Sequence, residues 1–445
     1  MTVTTDADAP VVDTPSGTVR GRLHRDGGVV EFLGLRFARA ERFGAPTPEP
    51  AWTGTRDART PGPQCPQLAS RMDAIAGPSN ADDLGQDEDC LRLTVRAPDD
   101  LAPGERLPVL VWIHGGAYVI GGVDLAWYDT SRLVREGRVV TVSLGYRLGI
   151  LGWLRMPGVS PGNLGLADLA AALRWIRTHV GAFGGNPGAV TLVGESAGAH
   201  AITCLMGAPA LRGLFQRVVL QSGQLGLGLG TDRTAARVAG YVRDALAGAD
   251  PRTVPIDDLL EAQRRAMVRH AGPGGINSAP AFTPVAGIEP LVGVAAADPW
   301  VAAAHSGHPM IIGTTADEAN TFVHIAPGLR RLRRRFPTLV DVGSRLATQR
   351  VFTAPAQRLA TRAAAAGTTV STYRFTWSAP GSGLGACHAI ELPFLFGGRE
   401  AWQDAPMLAG ASWDDDVEPL GRSLRRWWLD FAAGAQSPSS ARASR

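Results

Sequence analysis

The stretch 191-TLVGESAGAH-200 sets a strand-like apolar run against a glycine, an acid, a serine and then small residues. Small residues tolerate a turn too tight for side chains, and here they bracket a single hydroxyl. Gly194-Glu195-Ser196-Ala197-Gly198 fits G-x-S-x-G, in which a sharp strand-to-helix turn lifts the serine hydroxyl above a sheet edge. Ala189 to Val193 supply the strand, and 197-AGAHAITCLMG-207 supplies a helix with a small first turn. Unpaired amides at that helix start would turn the positive dipole end toward negative charge. A plain glycine turn holding a serine is the competing reading. The strand before it and the helix after it favour the elbow.

Outward from this turn the grammar repeats. The runs 109–113 (VLVWI), 138–144 (RVVTVSL), 189–193 (AVTLV), 217–222 (RVVLQS), 309–314 (PMIIGT) and 369–375 (TVSTYRF) are short and apolar. Helix-length segments such as 164-LGLADLAAALRWIRTHV-180 separate most of them. Strands that are apolar throughout, alternating with helices, predict an α/β fold with a mainly parallel sheet covered on both faces. The whole chain, 1–445, reads as one catalytic domain. Small N-terminal strands are expected at about 11–60, and a helical cap region at about 226–300. Residues 420–434 read as an amphipathic helix with Leu420, Leu424, Trp427, Trp428 and Phe431 on one side. A disordered tail is expected at 436–445.

Bulk composition narrows the chemistry. All 44 basic residues are arginine, so neither a Schiff-base lysine nor a P-loop lysine exists. A net charge of +3 indicates neither a nucleic-acid partner nor an anionic membrane. The arginine run 328-GLRRLRRRFP-337 is read as solvated helix surface near a lid rather than as a nucleic-acid patch. The start shows no secretory signal, and no apolar run is long enough to span a bilayer; a cytoplasmic location is expected. Cys65, Cys90, Cys204 and Cys387 are too few for a disulfide scaffold and are not spaced as a zinc site. A Cys65–Cys90 bridge is an alternative, although a cytoplasmic chain keeps both reduced. No cofactor and no metal are expected, and the oligomeric state is left open.

An acyl-transfer serine also needs amides aimed at the oxyanion of its transition state. The loop 114-HGGAY-118 follows the strand 109–113 and offers free N–H groups. With these two elements in place, the sequence resembles the type-B carboxylesterases, α/β hydrolases that include bacterial nitrobenzyl-type esterases and the cholinesterases. The likeness runs through WTGTRDARTPGPQCPQ, EDCLRLTV, VLVWIHGGAY, GYRLGILGWL, NLGLADLAAALRWI, FGGNPGAVTLVGESAG, RVVLQSG, GTTADEANTF and GACHAIELPFLFG. It implies the α/β-hydrolase fold, and it implies the backbone amides of Gly116, Ala117 and Ala197 as the oxyanion hole.

The order serine, acid, histidine restricts the base to His270, His305, His308, His324 or His388. The resemblance of GACHAIELPF to the family's histidine motif selects His388. Spacing alone does not separate Asp317 from Glu318, because both follow 309–314. The family's acid motif selects Glu318 and leaves Asp317 as a loop or surface carboxylate. His114 and His200 read as structural. Glu195 reads equally well as a tuner of the local field or as an ordinary buried acid. Gly145, Leu169, Gln224 and Ala319 depart from the family pattern, and a trimmed segment at 325–370 predicts a more open gorge. The function expected is a serine carboxylic-ester hydrolase acting through an acyl-enzyme on small to medium uncharged esters. An acyl transferase or cyclase of secondary metabolism using the same serine is the alternative. A non-catalytic binding homologue is disfavoured by the presence of Ser196, Glu318 and His388 together.

Overall fold

Side chains alternate across a strand, so a strand that is apolar at every position must be covered on both faces. The chain satisfies this with one ten-stranded sheet. The structure is a computed structural model that describes residues 9–272, 280–435 and 440–441. In chain order the sheet strands are β1 (Arg22–Leu23), β2 (Val29–Arg36), β3 (Arg92–Pro98), β4 (Leu107–Ile113), β5 (Val140–Leu144), β6 (Gly185–Glu195), β7 (Arg217–Gln221), β8 (Met310–Thr315), β9 (Val370–Phe375) and β10 (Ser440–Ala441). Across the sheet they run β10-β9-β8-β7-β6-β4-β5-β3-β2-β1. Pairings from β5 through β4 to β10 are parallel, while β5–β3, β3–β2 and β2–β1 are antiparallel. The expected mainly parallel sheet is therefore present, with an antiparallel N-terminal edge.

The helices used below are α1 (Leu164–His179), α2 (Ala197–Met206), α3 (Asp232–Ala245), α4 (Ile256–Ala271), α5 (Ala319–Ile325), α6 (Pro327–Arg335), α7 (Pro337–Ala347), α8 (Ala354–Ala365) and α9 (Glu418–Ala432). Two apolar layers sandwich the sheet. Val109, Val111 and Ile113 of β4 pack in one layer with Leu166, Leu169, Leu173 and Ile176 of α1, residues spaced as one helical face. Leu110 and Trp112 of the same strand pack in the other layer, with Leu424, Trp428 and Phe431 of α9. Fully burying each such side chain is worth about 1.5–3 kcal/mol, so the register of β4 is fixed from both sides.

Outside the main sheet, Val11–Thr14, Gly17–Arg20 and Thr55–Asp57 form a three-stranded sheet near the N-terminus. Between 226 and 300, α3 and α4 are the long elements, and 273–279 lie outside the described residues. Of the tail 436–445, Ser440–Ala441 pairs parallel to β9, and the rest lies outside the described residues. Cys65, Cys90, Cys204 and Cys387 are buried and free, so Cys65 and Cys90 are unbridged. Among the described residues no helix is long and apolar enough to cross a membrane.

Candidate active site

The hydroxyl of Ser196 sits where β6 ends and α2 begins, at φ 55° and ψ −119°. A non-glycine residue there is strained by roughly 1–3 kcal/mol, and the surroundings hold it in place. Its N–H donates to Gln221 O on β7 at 2.9 Å, and its carbonyl accepts from His200 N at 3.0 Å. The two glycines of the pentapeptide serve backbone approach. A Cβ on Gly198 would stand 2.0 Å from Ile113 O, and one on Gly194 would stand 2.6 Å from Gly198 C. Strand and helix therefore touch main chain to main chain, which no larger residue allows.

Glu318 follows β8 and caps α5, completely buried. Its Oε1 accepts Thr315 N–H at 2.8 Å, and its Oε2 lies 2.6 Å from His388 Nδ1. Thr321 Oγ1 donates to His388 O at 3.1 Å, so α5 clamps both the acid and the histidine loop. Asp317 is half-buried and serves that loop differently: its Oδ2 accepts Ala386 N–H at 3.1 Å, and its own N–H donates to Ala386 O at 2.9 Å. Geometry thus separates two neighbouring acids that spacing left equivalent.

His388 Nε2 lies 3.0 Å from Glu195 Oε1, yet off the ring's hydrogen-bonding direction, for Oε1 has no hydrogen-bond partner. Ser196 and Glu195 crowd the same spot: a Cβ on Gly115 would meet Glu195 Oε2 at 2.5 Å and Ser196 Cβ at 3.0 Å. Among the described residues no hydrogen bond joins Ser196 Oγ to His388; serine and histidine converge around Glu195 with that last bond open. Catalytic hydrogen bonds of this kind are often long before substrate binds. The rings of Phe322 and Phe352 flank the imidazole, each with its centroid 5.2 Å away. Ser196 and His388 are only 4% and 3% exposed, so the trimmed 325–370 segment does not lay the residues themselves open.

The loop after β4 turns through positive φ at Gly116 (105°), Ala117 (52°) and Tyr118 (65°). A Cβ on Gly116 would stand 2.1 Å from Ile120 O, so this position requires glycine. Gly116 O accepts from Val119 N and Ile120 N, and Tyr118 O accepts from Gly149 N at 2.6 Å. Among the described residues, the N–H groups of Gly116, Ala117 and Ala197 have no acceptor in the protein. Three free donors at one strand end and one helix start suit an incoming oxyanion. His114 and His200 brace this loop: Tyr146 Oη donates to His114 O, and Tyr118 Oη pairs with His200 Nδ1 at 2.6 Å. Burial pushes both imidazoles down to about 4, keeping them neutral.

Three buried carboxylates set the field. Burial raises Glu195 to about 7, with His388 opposing and Glu318 reinforcing the shift. Burial would lower His388, but the charge of Glu195 and the hydrogen bond to Glu318 raise it instead, to about 9. Since Glu195 and His388 face each other, protonating the acid releases the base. The third carboxylate, Glu391, is one that sequence reading passed over. It accepts from Tyr373 Oη and from Gln221 Nε2 (3.1 Å), and burial raises it to about 8 despite those bonds. Its signal was available: it lies three residues after His388, within the same quoted motif. Of the residues that depart from the family pattern, Leu169 is core and Gln224 is buried beside the turn that follows β7. Among the described residues no group of three or more His, Cys, Asp or Glu side chains could hold a metal. A cavity of about 860 Å³ lies elsewhere, along α1 and the N-terminal strands, and includes none of these residues.

The chain is similar to known proteins over most of its length. The carboxylesterase family model matches residues 8–333. A probable N-octanoylanthranilate hydrolase of Rhodococcus erythropolis is 42% identical over 94% of this chain and 92% of its own. The para-nitrobenzyl esterase of Bacillus subtilis is 33% identical over 95% of this chain and 89% of its own. A carboxylesterase structure from Geobacillus stearothermophilus superposes with a TM-score of 0.78 at 30% identity, covering 96% of this chain and 92% of that one. The chain belongs to the carboxylesterase family and is a serine ester hydrolase built on the α/β-hydrolase fold.

Proposed function

We propose that Ser196, His388 and Glu318 form the catalytic triad, that the amides of Gly116, Ala117 and Ala197 form the oxyanion hole, and that the substrates are small to medium uncharged carboxylic esters. The observation that carries this reading is the pairing of His388 Nδ1 with Glu318 Oε2 at 2.6 Å while its Nε2 faces the elbow. Ser196 Oγ attacks the ester carbonyl as His388 Nε2 takes its proton. The carbonyl oxygen becomes an oxyanion within reach of the three free amides. His388 then gives the proton to the leaving alcohol, and a water deprotonated by the same nitrogen releases the acid from Ser196. Glu318 holds the ring in the tautomer that leaves Nε2 unprotonated and stabilises the imidazolium between steps.

The walls of Phe322 and Phe352 beside His388 offer apolar contact, which supports uncharged esters. The 42% identical relative is named for hydrolysis of an N-octanoyl arylamide, which makes medium-chain arylamides the second class to assay. The four free cysteines support a reducing, cytoplasmic location. The test is a panel of p-nitrophenyl esters and anilides of increasing acyl length, with fluorophosphonate labelling. Ser196→Ala and His388→Ala are each expected to lower ester turnover at least about a thousandfold, and Ser196→Ala to abolish the adduct. Retained turnover in either variant overturns the assignment. Dominant ester exchange on adding an alcohol acceptor would instead favour acyl transfer.

A further inference from the structure

Between residues 326 and 350 the chain carries seven arginines and one acid, Asp341, although the whole molecule is near neutral. Arg333 pairs with Asp341 at 3.0 Å. The same segment holds six of the eleven large apolar side chains exposed among the described residues: Leu329, Leu332, Phe336, Leu339, Val342 and Leu346. Leu329 and Leu332 lie one turn apart on α6 and Phe336 follows directly after its end, while Leu339, Val342 and Leu346 share one face of α7. α7 turns a different face, Val340 and Ser344, into the protein, and α6 buries no residue at all. A nine-residue helix is marginal in water without packing, and α6 receives little packing from the protein body because none of its residues is buried. Leucines on one face and arginines beside them are what an interfacial helix needs.

We propose that the α6–α7 hairpin is a docking surface for an anionic lipid bilayer. Charge complementarity chooses the occupant. A cluster of arginines repels a second copy of itself but is attracted to an anionic headgroup layer, beneath which the apolar residues find acyl chains. The net charge of the whole chain points to no anionic membrane partner, and the arginine run reads as solvated helix surface; the exposed apolar side chains that accompany that run are what carry the proposal. The hairpin also joins the site at both ends. It leaves from α5, which carries Glu318 at its start, and returns through the turn Thr348–Thr353, whose Phe352 packs against His388. A docked bilayer would therefore lie beside the elements that build the site.

Flotation of the full chain tests this, with vesicles of phosphatidylcholine alone and with about a third phosphatidylglycerol. Binding is expected only to the second, weakening as salt rises. Leu332→Ser/Leu339→Ser/Leu346→Ser should weaken it at least about tenfold, and Arg331→Gln/Arg334→Gln/Arg335→Gln roughly 100-fold. Both variants should keep the wild-type melting midpoint and the rate on a short soluble ester. Three results overturn the proposal. One is equal or absent binding to the two vesicles. Another is a dimer in velocity sedimentation that the serine variant abolishes, showing that a second copy covers the face. The last is retention on duplex DNA as tight as on anionic vesicles and unaffected by the serine substitutions.

Discussion

A charge placed beside His388 matters because the base works as neutral imidazole. Its rate limb therefore rises with pH as His388 loses its proton. Glu195→Gln removes the neighbouring negative charge and lowers the pKa of His388. The rising limb of kcat/KM should then move to lower pH, by about one unit or more. A pH profile checks this, and an unmoved limb would show that the 3.0 Å approach carries no coupling. The two acids after β8 offer a second contrast. Glu318→Gln leaves the ring without its carboxylate and should cost at least about a hundredfold in kcat. Asp317→Asn retains an acceptor for Ala386 N–H and should leave kcat within about threefold, as steady-state kinetics would read. Spacing could not separate these residues, because both follow the same strand; the direction each side chain takes from the turn does.

At the scale of elements, the nucleophile elbow and the loop after β5 are held by close backbone contact and by buried charge. Gly198→Ala drives a methyl group against Ile113 O, a main-chain atom of a central strand that cannot step aside. Urea unfolding should show a loss of about 1–3 kcal/mol, with activity falling as the turn distorts. Arg147 donates through Nε and Nη2 to Asp168 and through Nη1 to Gly44 O, and both charged groups are buried. Asp168→Ala strands the guanidinium and should destabilise the fold by roughly 3–5 kcal/mol. Arg147→Met combined with Asp168→Leu should recover most of that loss, since the pair is replaced by apolar packing of similar volume. Helix α1 was legible from its periodic leucines. The buried acid in its midst could be read from the sequence only as an exception to that period.

Across the whole molecule, stability comes from two apolar layers around one sheet rather than from cross-links. With all four cysteines free, adding a reductant should leave the melting midpoint within about a degree, as calorimetry would show. The strand–helix alternation, the elbow and the glycine loop were readable in the sequence, because each depends on local residue type: apolar runs of strand length, and small residues where backbones meet. So was the face of α9 that carries Leu424, Trp428 and Phe431. Its buried Arg425 was not readable, being paired with Glu136 and Glu418 and donating to Phe394 O. Nor was the cluster of Glu195, Glu318 and Glu391 around one imidazole. What the sequence determined by itself was the order of elements and the residue types at the strand ends. The family likeness named Glu318 and the three amides; the tertiary structure alone decided that Glu195 and Glu391 join Glu318 near His388, and that exposed leucines lie among the arginines of α6 and α7. Those outcomes depend on side-chain direction and on contacts between residues distant in the chain, which no local pattern encodes.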